Sequence, residues 1–265
     1  MERHILHNRK KQTIVGILYT PQYHPRGTAI ISPGWRSNKD EAVVIAIKEA
    51  FIRARFQVFV YDATNSQGES DGDPALSTHG LHYEDLEDVV MWAREQKWFI
   101  SPLVVSGHSR GAYAAVRFVQ SHPTRVRYLV AVAPVVSGQL SDKTFKQNDP
   151  LGYARWSERK PEMPNTDYSG VRRLWSKIRR RVNYDLRPQA HLILIPTLLV
   201  GGNRDVRCPP RHLRKLHRAI GSRDKTLEII EKAVHRFSTP ESQSALSDTI
   251  YRWLSQRLDA RDTKH

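Results

Sequence analysis

A serine lies two residues from a glycine on either side in Gly107-His108-Ser109-Arg110-Gly111, where the apolar run "LVVSGHS" gives way to the alanine-rich run "GAYAAVRFVQ". The G-x-S-x-G spacing has a mechanical meaning. The glycines let a strand and a helix approach closely, and the serine between them projects from a sharp turn. A serine hydroxyl is a weak nucleophile, so such a turn does chemistry only with a base, an acid that orients the base, and donors for an oxyanion. His235 in "KAVHRF" follows the strand-like "TLEII" and precedes the last helical segment, where a general base is needed. Asp205 in "TLLVGGNRDVRCPP" ends a buried run ahead of a helix and is the candidate acid. The order along the chain is therefore nucleophile, acid, base.

The other histidines fit the base less well. His212 and His217 share what reads as a surface helix, His79 and His82 open another, and His108 adjoins Ser109 and would point elsewhere. No histidine pair has the i, i+4 spacing with an intervening glutamate of a helical zinc site, so neither a metal nor a cofactor is expected. One oxyanion donor would be the Arg110 N–H, directly after the serine. The second would come from the loop after "TAIIS", where Gly34 permits a tight approach and Trp35 supplies the N–H. Gly34, Trp35, His108 and Trp175 are the candidate substrate-contacting residues. Each assignment has a plain structural alternative: a small turn serine, an aspartate capping the helix near Pro209, a solvent-exposed loop histidine, a tryptophan that fills space. Cys208 is expected to pack without reacting, since nothing nearby marks it as a nucleophile with its own base.

Elements that alternate along the chain must position these residues. "RHILH" and "TIVGILYTP" read as a hairpin at a sheet edge, and "GTAIISPGW", "FQVFVYDA", "LVVSGHS", "VRYLVAVAPVV", "LILIPTLLVGG" and "KTLEIIEK" as further strands. Between them "DEAVVIAIKEAFIRA", "YEDLEDVVMWAREQ", "GAYAAVRFVQ", "PPRHLRKLHRAIG" and "PESQSALSDTIYRWLSQRL" carry helical spacing. Such alternation implies an α/β fold, a mostly parallel central sheet with helices on both faces. Residues 137–191 are too long for an ordinary loop and read as a cap inserted between the sixth and seventh strands. Residues 1–136 and 192–258 then form the core, and 259–265 a flexible tail.

The 265 residues suffice for one large α/β domain, and 39% hydrophobic with 26% charged residues is far from a disordered composition. The charged amino terminus offers no signal peptide, and the longest apolar runs fall well short of the roughly 20 residues that span a bilayer. A single cysteine excludes an internal disulfide and suits the cytoplasm. The formal charge of +15 favours encounters with anionic surfaces or ligands. No nucleic-acid motif accompanies it, so no nucleic-acid partner is expected. Within the cap, Val171, Leu174, Trp175, Ile178 and Val182 share a helical face amid arginines. That pattern suits a lid whose apolar side roofs the pocket, with contact to an anionic membrane or anionic substrate as the sharper alternative. Oligomeric state is not legible.

Taken together, "SPGWRSNKDE", "YDATNSQGESDGD", "GHSRGAYAA", "GGNRDVRCPP" and "AVHRF" resemble the α/β-hydrolase group that holds cinnamoyl (feruloyl) esterases, monoacylglycerol-lipase-like enzymes and serine aminopeptidases. The resemblance spans nearly the whole chain. It implies the α/β-hydrolase fold and a triad at Ser109, Asp205 and His235. The cap between the family's sixth and seventh strands matches residues 137–191. The chain departs from the family pattern twice, with Pro33-Gly34 where many members have His-Gly, and with "TNSQGES" retaining only Gly68 and Ser70 of an Arg-Gly-x-Gly-x-Ser turn. The expected activity is cleavage of a small-molecule carboxylic ester through an acyl-enzyme. The same residues would also serve a thioesterase or a peptidase/amidase, and a non-catalytic binding or membrane-associating protein on this fold is the alternative of another class.

Overall fold

The computed structural model describes residues 1–148 and 184–262. Eight strands form one sheet in the order β1-β2-β4-β3-β5-β6-β7-β8. The edge hairpin joins β1 (Glu2–His7) to β2 (Thr13–Tyr19), and β2 pairs antiparallel with β4 (Gln57–Tyr61). From there the sheet is parallel through β3 (Thr28–Ser32), β5 (Leu103–His108), β6 (Tyr128–Val132), β7 (Thr197–Gly202) and β8 (Lys225–Ile230). Strands β3 to β7 are buried at every position, because helices cover both faces; this is why they read as continuous apolar runs with little alternation.

The strand period of two splits those runs between separate cores. Ile30, Phe59, Val105, Leu129 and Leu199 face α2 (His79–Arg94) and α3 (Arg110–Ser121). Ala29, Ile31, Val58, Val104 and Val130 face α1 (Ala42–Arg53) and the last helix. Chain direction and helix cover together make this the α/β-hydrolase fold, with the carboxyl ends of β5, β7 and β8 along one edge.

Between β6 and β7 the described part of the insertion consists of α4 (Gly138–Asn148) and a 3-10 turn, Ala190–Leu192. An antiparallel bridge between Ser137 and Asp185 brings its entry and exit together. The rest of the expected cap, residues 149–183 with Trp175 and the basic amphipathic segment, lies outside the described residues. Beyond β7 come α5 (Pro210–Ala219) and α6 (Pro240–Asp262).

Two expectations are corrected here. Helix α6 continues past Leu258 to Asp262, so the chain is helical where a tail was expected to begin. His212 is buried, at 2% exposure, because the first turns of α5 face α4 and not solvent. Among the described residues no helix is long and apolar enough to cross a membrane.

Candidate active site

Ser109 ends β5 and caps α3 with φ of 57°, a positive value that a non-glycine residue holds only where its surroundings enforce it. Backbone packing is the enforcement. A Cβ on Gly107 would lie 2.5 Å from the Gly111 carbonyl carbon, and one on Gly111 would lie 2.1 Å from the Ser32 oxygen and 2.3 Å from the Pro33 oxygen. Both glycines therefore let the turn nest against itself and against the loop after β3. The Ser109 N–H donates to the Val132 carbonyl at 2.9 Å, tying the turn to the neighbouring strand end.

Loops after β7 and β8 deliver the other two residues. His235 Nε2 lies 2.9 Å from Ser109 Oγ, and His235 Nδ1 lies 2.7 Å from Asp205 Oδ2. The remaining Asp205 oxygen accepts the backbone N–H groups of Arg207 and Cys208, each at 2.8 Å. Burial by itself would raise the Asp205 carboxyl. The hydrogen bond and charge of His235, with those two N–H groups, outweigh it and hold the group below the usual aspartate range. Asp205 thus both orients His235 and caps the turn leading into α5, so the functional and the structural readings of this residue describe one geometry.

The loop after β3 lies against the serine. A Cβ on Gly34 would be 3.5 Å from Ser109 Cβ, and Gly34, Trp35, His108, Ser109, Arg207 and His235 are among the residues lining a cleft of about 40 Å³. Arg110 is the first residue of α3, directly after Ser109. The Trp35 ring stands 5.1 Å from the Arg36 guanidinium and 5.0 Å from that of Arg110, which fixes the loop from its outer side. His108, set aside as the base, is also a candidate substrate contact. It points into the site, lining the cleft, and its Nε2 lies 2.8 Å from the His235 carbonyl, where it holds the His235 loop. Burial, then the neighbouring His235, push it down to about 3, so it is a neutral donor to that carbonyl.

The profile of the prolyl oligopeptidase family matches residues 76–261, more than half of the chain and including Ser109, Asp205 and His235. The chain belongs to this family of hydrolases. No curated protein sequence matches it significantly. Similar solved structures include Est1E from Butyrivibrio proteoclasticus with ferulic acid bound, at 14% identity over 97% of this chain and 99% of that one, TM-score 0.77. Alpha/beta hydrolase domain-containing protein 10 from mouse is 17% identical over 97% and 99%, TM-score 0.69. An alpha-beta serine hydrolase homologue from Coxiella burnetii is 18% identical over 95% and 96%, TM-score 0.63. At these identities the likeness is one of fold.

In this prolyl oligopeptidase family member, two supports of the site escaped the sequence reading. The first is His82 on α2, fully buried, with Nε2 3.1 Å from the Pro33 carbonyl. It braces the Pro33-Gly34 loop, and a lone histidine on a helix gave no signal of this. The second is Asp62, after β4. Its Oδ1 accepts the Lys39 N–H at 2.7 Å, and its Oδ2 accepts the Glu69 N–H and the Lys39 ammonium, both at 2.9 Å. Gly68 has φ of +118° and a Cβ there would fall 2.2 Å from Asp62 Oδ2, so the position requires glycine, and Ser70 Oγ donates to the Asp62 carbonyl at 2.6 Å. The retained Gly68 and Ser70 of "TNSQGES" were the available clue.

The carboxylate, thiol and imidazole of Asp205, Cys208 and His235 approach within 4.8 Å of one another. Their chemistry is that of a hydrogen-bonded acid and base, since both Asp205 oxygens are engaged and burial keeps the Cys208 thiol protonated. Trp175, the remaining candidate contact, lies outside the described residues.

Proposed function

We propose that this hydrolase cleaves carboxylic esters by serine acyl transfer. The reading rests on the continuous relay Ser109 Oγ, His235 Nε2, His235 Nδ1, Asp205 Oδ2, with steps of 2.9 Å and 2.7 Å. His235 removes the Ser109 proton as Oγ attacks the ester carbonyl, and ionised Asp205 stabilises the imidazolium. The N–H groups of Arg110 and Trp35 receive the oxyanion, and His235 then protonates the departing alcohol. Water, activated by the same imidazole, releases the acid and restores the serine. Arg207 borders the cleft, where Arg236 is paired with Glu41 at 3.0 Å, and the Arg207 charge suits a substrate carrying negative charge. The small cleft beside Ser109 suits a short or flat aromatic acyl group.

The family match favours one second reading, peptide bond cleavage by the same residues. Hydrolysis of p-nitrophenyl esters from acetate to palmitate, beside proline p-nitroanilides, separates the two when wild type and Ser109→Ala are compared and a fluorophosphonate reports acylation. The ester reading expects short-chain turnover and labelling that both vanish in the variant. Anilide turnover without ester turnover favours the peptidase. Loss of both turnover and labelling in the wild type refutes catalysis and leaves a binding role for the fold.

A further inference from the structure

A second cavity, of about 310 Å³, opens between α4 and the first turns of α5. That is the lower end of the size range of small-molecule sites, roughly 300–1,000 Å³. Its floor is Leu140 with Thr144 and His212, the latter two each only 2% exposed and 3.1 Å apart through Thr144 Oγ1 and His212 Nε2. Its walls carry Lys143, Arg211 and Lys215.

None of these cations is ion-paired with a carboxylate among the described residues. The Arg211 guanidinium is positioned by neutral oxygens instead, donating to Thr144 Oγ1 at 3.0 Å and to Gln147 Oε1 at 3.5 Å. Its placement is also unfavourable for the bare protein. The first turn of a helix favours acidic side chains, yet that of α5 has none and carries Arg211. Arg53, by contrast, is paired with Asp248 and Arg257 with Asp224. A positive helix end, a fork held by neutral partners and two ammonium groups with no ion pair among the described residues surround one concavity, and their mutual repulsion falls when an anion enters.

The charges that act on His212 agree. Burial first, then Arg211, Lys215 and Arg187, push its imidazole down to about 4, against the opposing charge of Asp205. Asp205 is already engaged by His235, and Arg187 by Asp185. The imidazole is neutral, leaving the lysines and the guanidinium as the cationic contacts.

From this geometry we infer that the cavity between α4 and α5 is a binding site for a multiply charged oxyanion of the phosphate class, held by Arg211, Lys143 and Lys215. The site is separate from the Ser109 cleft but built on the same loop. Asn148 Nδ2 donates to the Val206 carbonyl at 2.9 Å, one residue beyond Asp205, which ties the end of α4 to the loop carrying Asp205.

The test uses the full chain carrying Ser109→Ala and titrates inorganic phosphate and pyrophosphate by calorimetry at low ionic strength, so its result stands whatever bond the enzyme cleaves. Saturable binding at one site is expected. The pair Arg211→Gln with Lys215→Gln should weaken it about tenfold or more, since each removes a charge-assisted contact. Lys143→Gln, at an exposed position of α4, should weaken it on its own. A control pair, Lys97→Gln with Arg252→Gln, removes equal charge from other elements and should leave affinity within about twofold. Equal weakening by both pairs means attraction by net charge and overturns the site, as does heat that never saturates. With active enzyme, phosphate that competes only against a phosphorylated ester marks the anion as part of the substrate. Phosphate that alters turnover of neutral esters as well marks a separate effector.

Discussion

His82 should make the folded chain acid-sensitive in a way that one substitution measures. Burial, then the nearby Arg110 charge, push its imidazole down to about 3, although its hydrogen bonds to the backbone of Pro33 and Gly34 act in the opposite direction. In the unfolded chain the same group takes a proton near its ordinary value of about 6.5. Folding stability is therefore fully present above about 6.5 and is lost progressively as pH falls toward about 3, because the unfolded state alone gains the proton. At about pH 5 the gap from 6.5 is about 1.5 units, so the loss at this one residue is roughly 2 kcal/mol. His108, 4% exposed and also pushed down to about 3, adds a loss of similar size. Urea denaturation of wild type and His82→Gln at about pH 7.5 and about pH 5 isolates the His82 share, since a glutamine amide can still donate to Pro33 without titrating. The variant should lose roughly 2 kcal/mol less than wild type between the two conditions. Identical losses would refute the reasoning, because they would mean that His82 titrates in the folded state as it does in water. At neutral pH the variant should lower kcat more than it changes KM, because His82 braces the loop proposed to receive the oxyanion.

Three other substitutions probe the remaining supports. Asp205→Asn should retain the fold and the cap of α5 yet lower kcat by about 10⁴, read from steady-state ester hydrolysis, because the amide no longer stabilises the imidazolium. Gly111→Ala places a methyl on the Ser32 and Pro33 carbonyls and should cost roughly 1–3 kcal/mol in urea melts while also depressing kcat; unchanged values would show that the loop yields freely. Asp62→Asn leaves the Lys39 ammonium, only 5% exposed, with Glu69 and Asp40 as its acids, and should cost roughly 3 kcal/mol, with Lys39→Met restoring part of it.

Much of this architecture was written in local pattern. Apolar runs too short to span a bilayer, alternating with amphipathic helices, predicted the parallel sheet and its cover, and the G-x-S-x-G turn marked where strand becomes helix. Ser109, Asp205 and His235 were legible because each sits at a strand end, and strand ends in a parallel sheet lie along one edge whatever their separation in sequence. Polar residues buried away from such ends were not. His82 looks like any helix histidine until α2 packs its ring under Pro33, and His212 read as exposed because nothing local reveals that α4 covers the start of α5. Asp62 becomes a hub only when the loop carrying Lys39 and the turn carrying Gly68 meet it across the fold. The physical reason is one of range: periodicity and turn chemistry act over a few residues and survive in the sequence, whereas burial, hydrogen-bond partners and protonation depend on which distant segments arrive at the same point. The chain order thus determined which residues are the candidate catalytic groups, and the tertiary contacts alone decided which neutral histidines and buried carboxylates surround them.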